Sequence, residues 1–215
     1  IVKSSGTYRD LVNFFKRGGL DPWKRRDLIQ MVQPIEQFMI QTGKRLFKGF
    51  EEYNEVHKMV FDIETTSLEP SEGHIFLIGI KDNRGFRTIL DSYDETGKWT
   101  EEKERQMITK FFETIAERTP SIITGYNSEN FDWRYILGRA SILGLDITKI
   151  AKTRHPMIDF KRKQSSLKLG AEVEQYEQTL MWGYNILDTL HRVRQAQALN
   201  SNIKEAGLKY IAKEA

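Results

Sequence analysis

The chain has 215 residues, of which 39% are hydrophobic and 29% are charged, a balance typical of a soluble globular protein and unlike that of a disordered one. Its formal net charge of +3 permits a nucleic-acid partner but does not argue for one. The absence of cysteine excludes disulfides and thiolate metal sites, and no apolar run is long enough to span a membrane. Because its start carries no targeting signal, we expect the chain in the cytoplasm, or inside a host cell if its source is viral.

The first 57 residues are predicted to form a mainly helical extension that packs on the domain after it. Apolar residues recur at helical spacing over residues 7–16. A second predicted helix spans residues 21–31 and has a proline near its start. A third spans residues 34–48 and is broken at Gly43.

The pattern changes from helices to β-strands at Lys58. Residues 59–65 form the first predicted strand, and residues 74–81 form the second, whose continuous apolar run indicates burial on both faces. Residues 86–90 form the third strand, after a turn. Because the connections between these strands are short, we expect an antiparallel meander.

A crossover unit is predicted next along the chain. Residues 101–118 form an amphipathic helix, since apolar residues recur there at helical spacing between glutamates and lysines. A short fourth strand at residues 121–125 follows, and then a helix at residues 131–143. A strand that returns beside an earlier one after a helix makes a crossover connection.

The last part of the chain is polar at first and then regains a regular pattern. Residues 146–178 are predicted as an irregular loop or insertion. Residues 184–187 form the fifth predicted strand, and a helix starts at Leu190. A final helix spans residues 202–215, and because it has no stop signal we expect the chain to be a piece of a larger protein. Four apolar residues of this helix are expected to face inward: Ile203, Leu208, Ile211 and Ala212.

Two acidic residues lie near the end of the first predicted strand. Because strand side chains alternate between faces, Asp62 and Glu64 point the same way, about 7 Å apart along the chain. Two such carboxylates repel each other unless a cation lies between them, and oxygen ligands suit Mg²⁺ or Mn²⁺. The alternative is a strand end with two solvated acids.

A second acidic position is predicted where the fourth strand passes into the next helix. Asp132 falls in the first turn of that helix, at the edge of the sheet where ligands collect in α/β folds. Alternatively, Asn130 caps the helix and Asp132 is an ordinary first-turn acid. That alternative does not explain why another acid lies at the end of the fourth strand, which is expected to lie beside the first strand.

These two motifs resemble those of a known family. Phe61-Asp62-Ile63-Glu64-Thr65 resembles the first exonuclease motif of family B DNA polymerases, and the run from Tyr126-Asn127 to Phe131-Asp132 resembles the second. The resemblance covers roughly residues 34–215. The segments that flank the motifs are also similar, at residues 38–49, 183–188 and 206–212.

The resemblance implies an α/β domain with a ribonuclease-H-like fold, in which helices flank a mixed five-stranded sheet. Residues 1–57 would belong to the polymerase N-terminal region, and residues 58–215 would form a 3′→5′ exonuclease domain that is incomplete at its C-terminal end. The implied reaction is hydrolysis of the 3′-terminal phosphodiester of single-stranded or mismatched DNA with two Mg²⁺ or Mn²⁺ ions. The implied partners are the 3′ end of a primer–template and the remainder of the polymerase chain, with neither a membrane nor an oligomer.

The family uses four carboxylates. By resemblance, Asp62 would bridge both ions, Glu64 would hold the ion that activates water, and Asp132 would help to hold the other. The fourth carboxylate belongs to a third motif, in which a tyrosine precedes an aspartate. Tyr184 and Asp188 resemble that motif, but their flanks place Asp188 on an earlier strand, so we expect an acid that is bonded within the domain. The residues expected to bind substrate are Ile63, Thr65, Tyr126, Asn127 and Phe131.

Two other functions remain open from the sequence. The chain would be a non-catalytic part that guides DNA or supports the polymerase if the fourth carboxylate is missing. It would be a free-standing exonuclease of the same type if Asp188 is the fourth metal ligand.

Overall fold

The structure, a computed structural model, describes residues 5–21, 24, 34–44, 49–50, 52–150, 160–200 and 202–214. The chain divides into two compact units, Ile1–Glu51 and Glu52–Ala215. The boundary after residue 57 and the assignment of the first unit to a polymerase N-terminal region stay predictions. None of the helices described combines the length and the apolar character that crossing a membrane requires.

The first unit contains two described helices. Helix α1 spans Ser5–Arg17 and helix α2 spans Pro34–Thr42, which confirms a helix at each of these predicted positions. Helix α1 ends where Gly19 adopts a φ of +76° and donates its N–H to a carbonyl of the last turn. Most of the helix predicted at residues 21–31 lies outside the described residues.

The second unit is built on a five-stranded mixed sheet. The strands of the unit are β1 Lys58–Thr65, β2 Ile75–Asp82, β3 Arg87–Asp91, β4 Ile122–Gly125, β5 Lys161–Leu169, β6 Glu172–Leu180 and β7 Asn185–Asp188. In the five-stranded sheet, β2 lies antiparallel between β1 and β3, whereas β4 is parallel to both β1 and β7. The predicted meander, crossover unit and fifth strand are therefore confirmed, and so is the mixed five-stranded sheet of the predicted ribonuclease-H-like fold, whose strand order is β3-β2-β1-β4-β7.

The helices of the second unit begin and end at local signals. The Thr100 hydroxyl caps the first of them by accepting the N–H of Lys103, and Thr119 ends it in the left-handed conformation. Asp188 caps the helix after β7. These helices are α3 Glu101–Arg118, α4 Asp132–Ile142, α5 Ile147–Ile150, α6 Thr189–Leu199 and α7 Leu208–Glu214.

The hydrophobic core lies on one face of the sheet. Along β1, alternate residues are buried, and the Phe61 ring lies 5.0 Å from that of Phe111 in α3 and 4.8 Å from that of Trp133 in α4. The residues between them, Asp62 and Glu64 among them, are exposed on the other face. The period of two in β1 therefore separates a packed face from one that solvent reaches.

The prediction of an irregular segment at residues 146–178 is wrong. Within it the structure has the short helix α5 and most of an antiparallel hairpin of β5 and β6, which turns at Gly170. Lysines, glutamines and glutamates occur on both faces of this hairpin, so the sequence lacks the apolar alternation that marks a strand. Residues 151–159 lie outside the described part.

The final predicted helix starts too early. Helix α7 begins at Leu208, and the Gln197 side chain donates to the carbonyls of Ile203 and Lys204 ahead of it. Two residues predicted to face inward, Leu208 and Ala212, are exposed. The side-chain amide of α6 thus bonds carbonyls that a longer helix would have used itself.

A buried ion pair joins both core helices to β2. The Arg139 guanidinium donates two hydrogen bonds to the Glu104 carboxylate, at 2.9 and 2.6 Å, and a third to the carbonyl of Pro70 at 3.0 Å. Glu104 also accepts the N–H of Ile75 at 2.9 Å. Since both side chains are buried, water could not solvate either charge if its partner were removed.

Replacing Arg139 with methionine should lower the free energy of unfolding by about 3–5 kcal/mol, because the Glu104 charge would remain buried and unpaired. Urea unfolding followed by circular dichroism measures this change. The matched control is Arg134→Met in the same helix, whose partner Glu69 is exposed, and it should change stability by about 1 kcal/mol or less. Equal effects of the two substitutions would contradict this account of the buried pair.

Candidate active site

Strand β1 presents its two acids to solvent on the face away from the core. Asp62 and Glu64 are both accessible, as the alternation of the strand requires. Desolvation by the surrounding protein raises the pKa of Asp62, and its hydrogen bond with the Ile63 backbone opposes the rise. Asp62 is therefore held in a site that disfavours its negative charge.

Asp132 is buried in the first turn of α4 and points at β1. Its Oδ1 accepts the backbone N–H of Ile63 at 3.2 Å. Burial raises the pKa of Asp132 to about 7, the charge of Asp62 adds to this rise, and the Ile63 N–H opposes it. Two acids that are distant in the sequence thus lie close enough for the charge of one to raise the pKa of the other.

The structure groups the predicted acids only in part. It brings Asp62 and Asp132 together, whereas Glu64 is exposed on the same face of β1. Within the described ranges, no three acidic, histidine or cysteine side chains are close enough to hold a metal ion as they stand.

The turn between β4 and α4 is held in an unusual backbone conformation. Asn127 has a φ of +61°, which asparagine tolerates better than most residues, and its side chain accepts a hydrogen bond from that of Asn130. Gly125 has no space for a side chain, since a Cβ there would lie 2.6 Å from the Cβ of Ser128 and 3.3 Å from the carbonyl oxygen of Phe61. The glycine therefore lets the turn close tightly against β1.

Asp188 is buried and bonded within the domain. Its Oδ1 accepts the N–H groups of Asn127 and Leu190, both at 2.9 Å, and its Oδ2 accepts that of Glu129 at 3.0 Å. The carboxylate thus holds the turn before α4 and the start of α6 at the same time. A metal role for Asp188 stays a prediction.

A family model described as "DNA polymerase family B, exonuclease domain" matches residues 35–211. This chain belongs to that family. It is 35% identical over 114 residues to the catalytic subunit of DNA polymerase epsilon from Emericella nidulans, a match that covers 42% of this chain and 5% of that protein. It is 30% identical over 135 residues to a DNA polymerase of Thermococcus litoralis, with 61% and 8% covered. The chain thus spans a small part of the length of these relatives.

One solved structure that resembles this exonuclease domain is the family B DNA polymerase of Pyrobaculum calidifontis. The TM-score is 0.46 and the sequence identity 23%. The match covers 62% of this chain and 15% of that polymerase chain. The family predicted from the two motifs is therefore confirmed by the family model and by relatives of known name.

Glu129 is a buried acid of this exonuclease domain that the sequence did not single out. Its carboxylate accepts the N–H of Thr179 in β6 at 2.9 Å, and its carbonyl accepts a hydrogen bond from Arg162 in β5 at 2.7 Å. Burial raises the pKa of Glu129, whereas Thr179 and Arg162 lower it. Because the hairpin itself was not predicted, no sequence signal could name these partners.

Two residues expected to bind substrate have partners around the turn. The Tyr126 hydroxyl donates a hydrogen bond to the carbonyl of Ala206. Burial raises the pKa of Tyr126, and the negative charge of Asp188 adds a smaller rise. The ring of Phe131 is half-buried and lies 5.6 Å from that of Tyr135. Both rings are thus partly enclosed by the domain.

The substrate-binding residues expected in β1 differ from each other. The Ile63 side chain is buried in the core, so only its backbone faces the acids. The Thr65 hydroxyl donates to the carbonyl of Ser67 at 2.8 Å. A substrate role for these residues, and for Tyr126, Asn127 and Phe131, stays a prediction.

The raised pKa of Asp132 predicts a pH-dependent stability in metal-free buffer. The folded pKa of about 7 lies above the unfolded value of about 3.9, so protonation stabilises the fold fully below about pH 4. That contribution is lost as the pH rises through about 7. Relative to Asp132→Asn, the wild-type free energy of unfolding should fall by about 4 kcal/mol at most between pH 4 and 8. Urea unfolding at a series of pH values measures it, and parallel profiles for the two proteins would refute it.

Replacing Glu129 with alanine should loosen the β5–β6 hairpin, because the buried N–H of Thr179 would lose its acceptor. We expect a loss of about 1–3 kcal/mol in the free energy of unfolding and faster amide exchange in the hairpin. Hydrogen exchange read by mass spectrometry measures the second effect. The control Glu177→Ala removes an exposed acid that pairs with the same Arg162, and it should leave both quantities nearly unchanged.

Proposed function

We propose that this chain is a 3′→5′ proofreading exonuclease region, which hydrolyses the 3′-terminal phosphodiester of single-stranded or mismatched DNA. The observation that carries the proposal is the meeting of Asp62 and Asp132, in a domain that belongs to the exonuclease family of family B polymerases. Acids whose pKa values are shifted by burial and by a like charge are concentrated at functional sites.

The donor set fits a divalent cation. The charge of Asp62 raises the pKa of Asp132, and a cation between two such carboxylates would relieve their repulsion. All the donors are carboxylate oxygens, which suit Mg²⁺ or Mn²⁺. Asp62, Glu64 and Asp132 would hold the metal, and Glu64 is accessible on the face that Asp62 shares.

The chemistry that two such ions supply when bound is stabilisation of the attacking and leaving oxygens of an in-line displacement at phosphorus. The chain contributes the positions of the acids. The Ile63 N–H holds Asp132 against β1, and the exposed face of β1 leaves Asp62 and Glu64 open to a DNA 3′ end. Positioning of this kind is the main contribution of a protein to phosphoryl-transfer reactions.

The partners follow from the relatives. Those relatives are DNA polymerases several times longer than this chain, so we propose that the domain works with the remainder of a polymerase chain on a primer–template. The cytoplasmic or host-cell location stays a prediction.

A second candidate is a non-catalytic part that guides DNA or supports the polymerase. It is favoured by the absence, among the described residues, of any grouping of three possible metal ligands. The bonds that Asp188 accepts from three backbone N–H groups support the same candidate, because they use most of the acceptor sites of its carboxylate. A fourth ligand would then have to come from elsewhere.

Incubation of a 5′-labelled single-stranded oligonucleotide with the chain and Mn²⁺ or Mg²⁺ should give stepwise shortening from the 3′ end, resolved on a denaturing gel. EDTA should stop the reaction. Asp62→Ala should slow the reaction by about a hundredfold or more, because the loss of one of several catalytic residues that act together removes most of their combined effect. The control Asp146→Ala removes an exposed acid that lies just before α5, and this variant should cleave at the wild-type rate.

Two outcomes would contradict the proposal. No shortening by the wild-type chain with either metal would favour the non-catalytic candidate. Shortening that Asp62→Ala leaves unchanged would show that the activity arises away from this site.

A further inference from the structure

Two glycines lie within strands of the central sheet, and only one of them is explained by packing. Glycine weakens a strand interior, so it usually marks a close approach of some other group. At Gly125 that group belongs to the fold, since a Cβ there would collide with Ser128 and approach the Phe61 carbonyl. At Gly79, in β2, a Cβ would meet no atom of the described residues within 4 Å.

The backbone of Gly79 does not require glycine either. Its φ lies outside the left-handed range in which other residues are strained. The register irregularity between β1 and β2 falls at Glu64 and Thr65, away from Gly79. Neither backbone conformation nor packing thus accounts for a glycine at this point of the strand.

Gly79 lies directly beside the candidate active site. In the sheet it pairs with Asp62 on one side and with Ile89 on the other. Residues paired directly across strands point to the same face, with Cβ atoms about 4.5–5.5 Å apart. The missing side chain therefore leaves a gap next to the Asp62 carboxylate, on the face that solvent reaches.

The open surface around this gap combines exposed apolar side chains with charged ones, which include Arg87 and Asp91 of β3. Val60 is 43% exposed and Ile89 is 58% exposed, which is high for large apolar residues within a sheet. The exposed Lys81, which pairs with Val60, adds a positive charge at the border. Exposed apolar side chains suit the flat organic part of a ligand, and the nearby acids and lysine suit a phosphate group with its metal ions.

We propose that Gly79 shapes the substrate-binding surface, because it leaves room beside Asp62 for the sugar and base of the 3′-terminal nucleotide. The inference rests on the proposed exonuclease function and names the surface on which its substrate lies. A side chain at position 79 would lift the nucleotide from the sheet and move its phosphodiester away from the acids.

The test compares Gly79→Ala and Gly79→Val with the wild-type chain. Both variants should unfold at the wild-type urea concentration or higher, because valine favours strands and the space is free. For Gly79→Val, the KM for a single-stranded oligonucleotide should rise by about tenfold or more, with a smaller rise for Gly79→Ala. The Kd for a fluorescein-labelled oligothymidylate, measured by anisotropy in Ca²⁺, should rise in parallel.

Gly125→Ala is the matched control, since it makes the same change in the same sheet at a glycine that packing explains. It should lower the urea midpoint, whereas the Gly79 variants should not. Loss of stability in the Gly79 variants as large as that of Gly125→Ala would overturn the proposal. Wild-type KM and Kd values in both Gly79 variants would overturn it as well.

The two proposals fail in different ways. If the wild-type chain binds the oligothymidylate without cleaving any substrate, the exonuclease function fails, and the Kd values of the variants still decide the role of Gly79. If it cleaves and the variants match it, only the role of Gly79 fails. If it neither binds nor cleaves, both fail, because no nucleotide then occupies the surface.

Discussion

The hydrogen bond from the Ile63 N–H to Asp132 is the contact on which the candidate site depends. It joins a strand and a helix start that are 69 residues apart in the sequence. Phe61 of the same strand packs on Trp133 of the same helix, so the hydrophobic core fixes β1 against the start of α4. The core thereby supplies the free energy that holds like charges together against their repulsion.

The supporting contacts lie one layer away from these acids. Asp188 and Glu129 hold the turn before α4 from the side of β7 and from the hairpin, and the Arg139 pair holds α4 against α3 and β2. These buried charges all have hydrogen-bonded partners. Of the acids in the two motifs, only Asp62 and Glu64 are accessible to solvent. The buried charges thus shape the site, whereas the accessible acids are the ones that a substrate can reach.

Short apolar runs bounded by turn residues were enough to predict the five strands of the sheet, and helical periodicity was enough to predict the extent of α3. These patterns failed for the hairpin, whose two faces are both polar, and for the start of α7, where a side chain of α6 bonds the carbonyls. The motifs named Asp62, Glu64 and Asp132. The partnership of Glu129 with Thr179 was beyond prediction, since it needs a tertiary contact of a hairpin that the pattern did not reveal.

The order of the strands also has a consequence for folding. The meander of β1, β2 and β3 joins neighbouring segments, whereas the parallel pairs of β1 with β4 and of β4 with β7 each close a long loop of the chain. Closing a long loop costs entropy before the contacts that it allows can offset that cost, so we expect local hairpins to form before distant parallel pairs. We therefore expect Asp62 to be in place on its strand early in folding, and Asp132 to reach it only when the parallel pairing is complete.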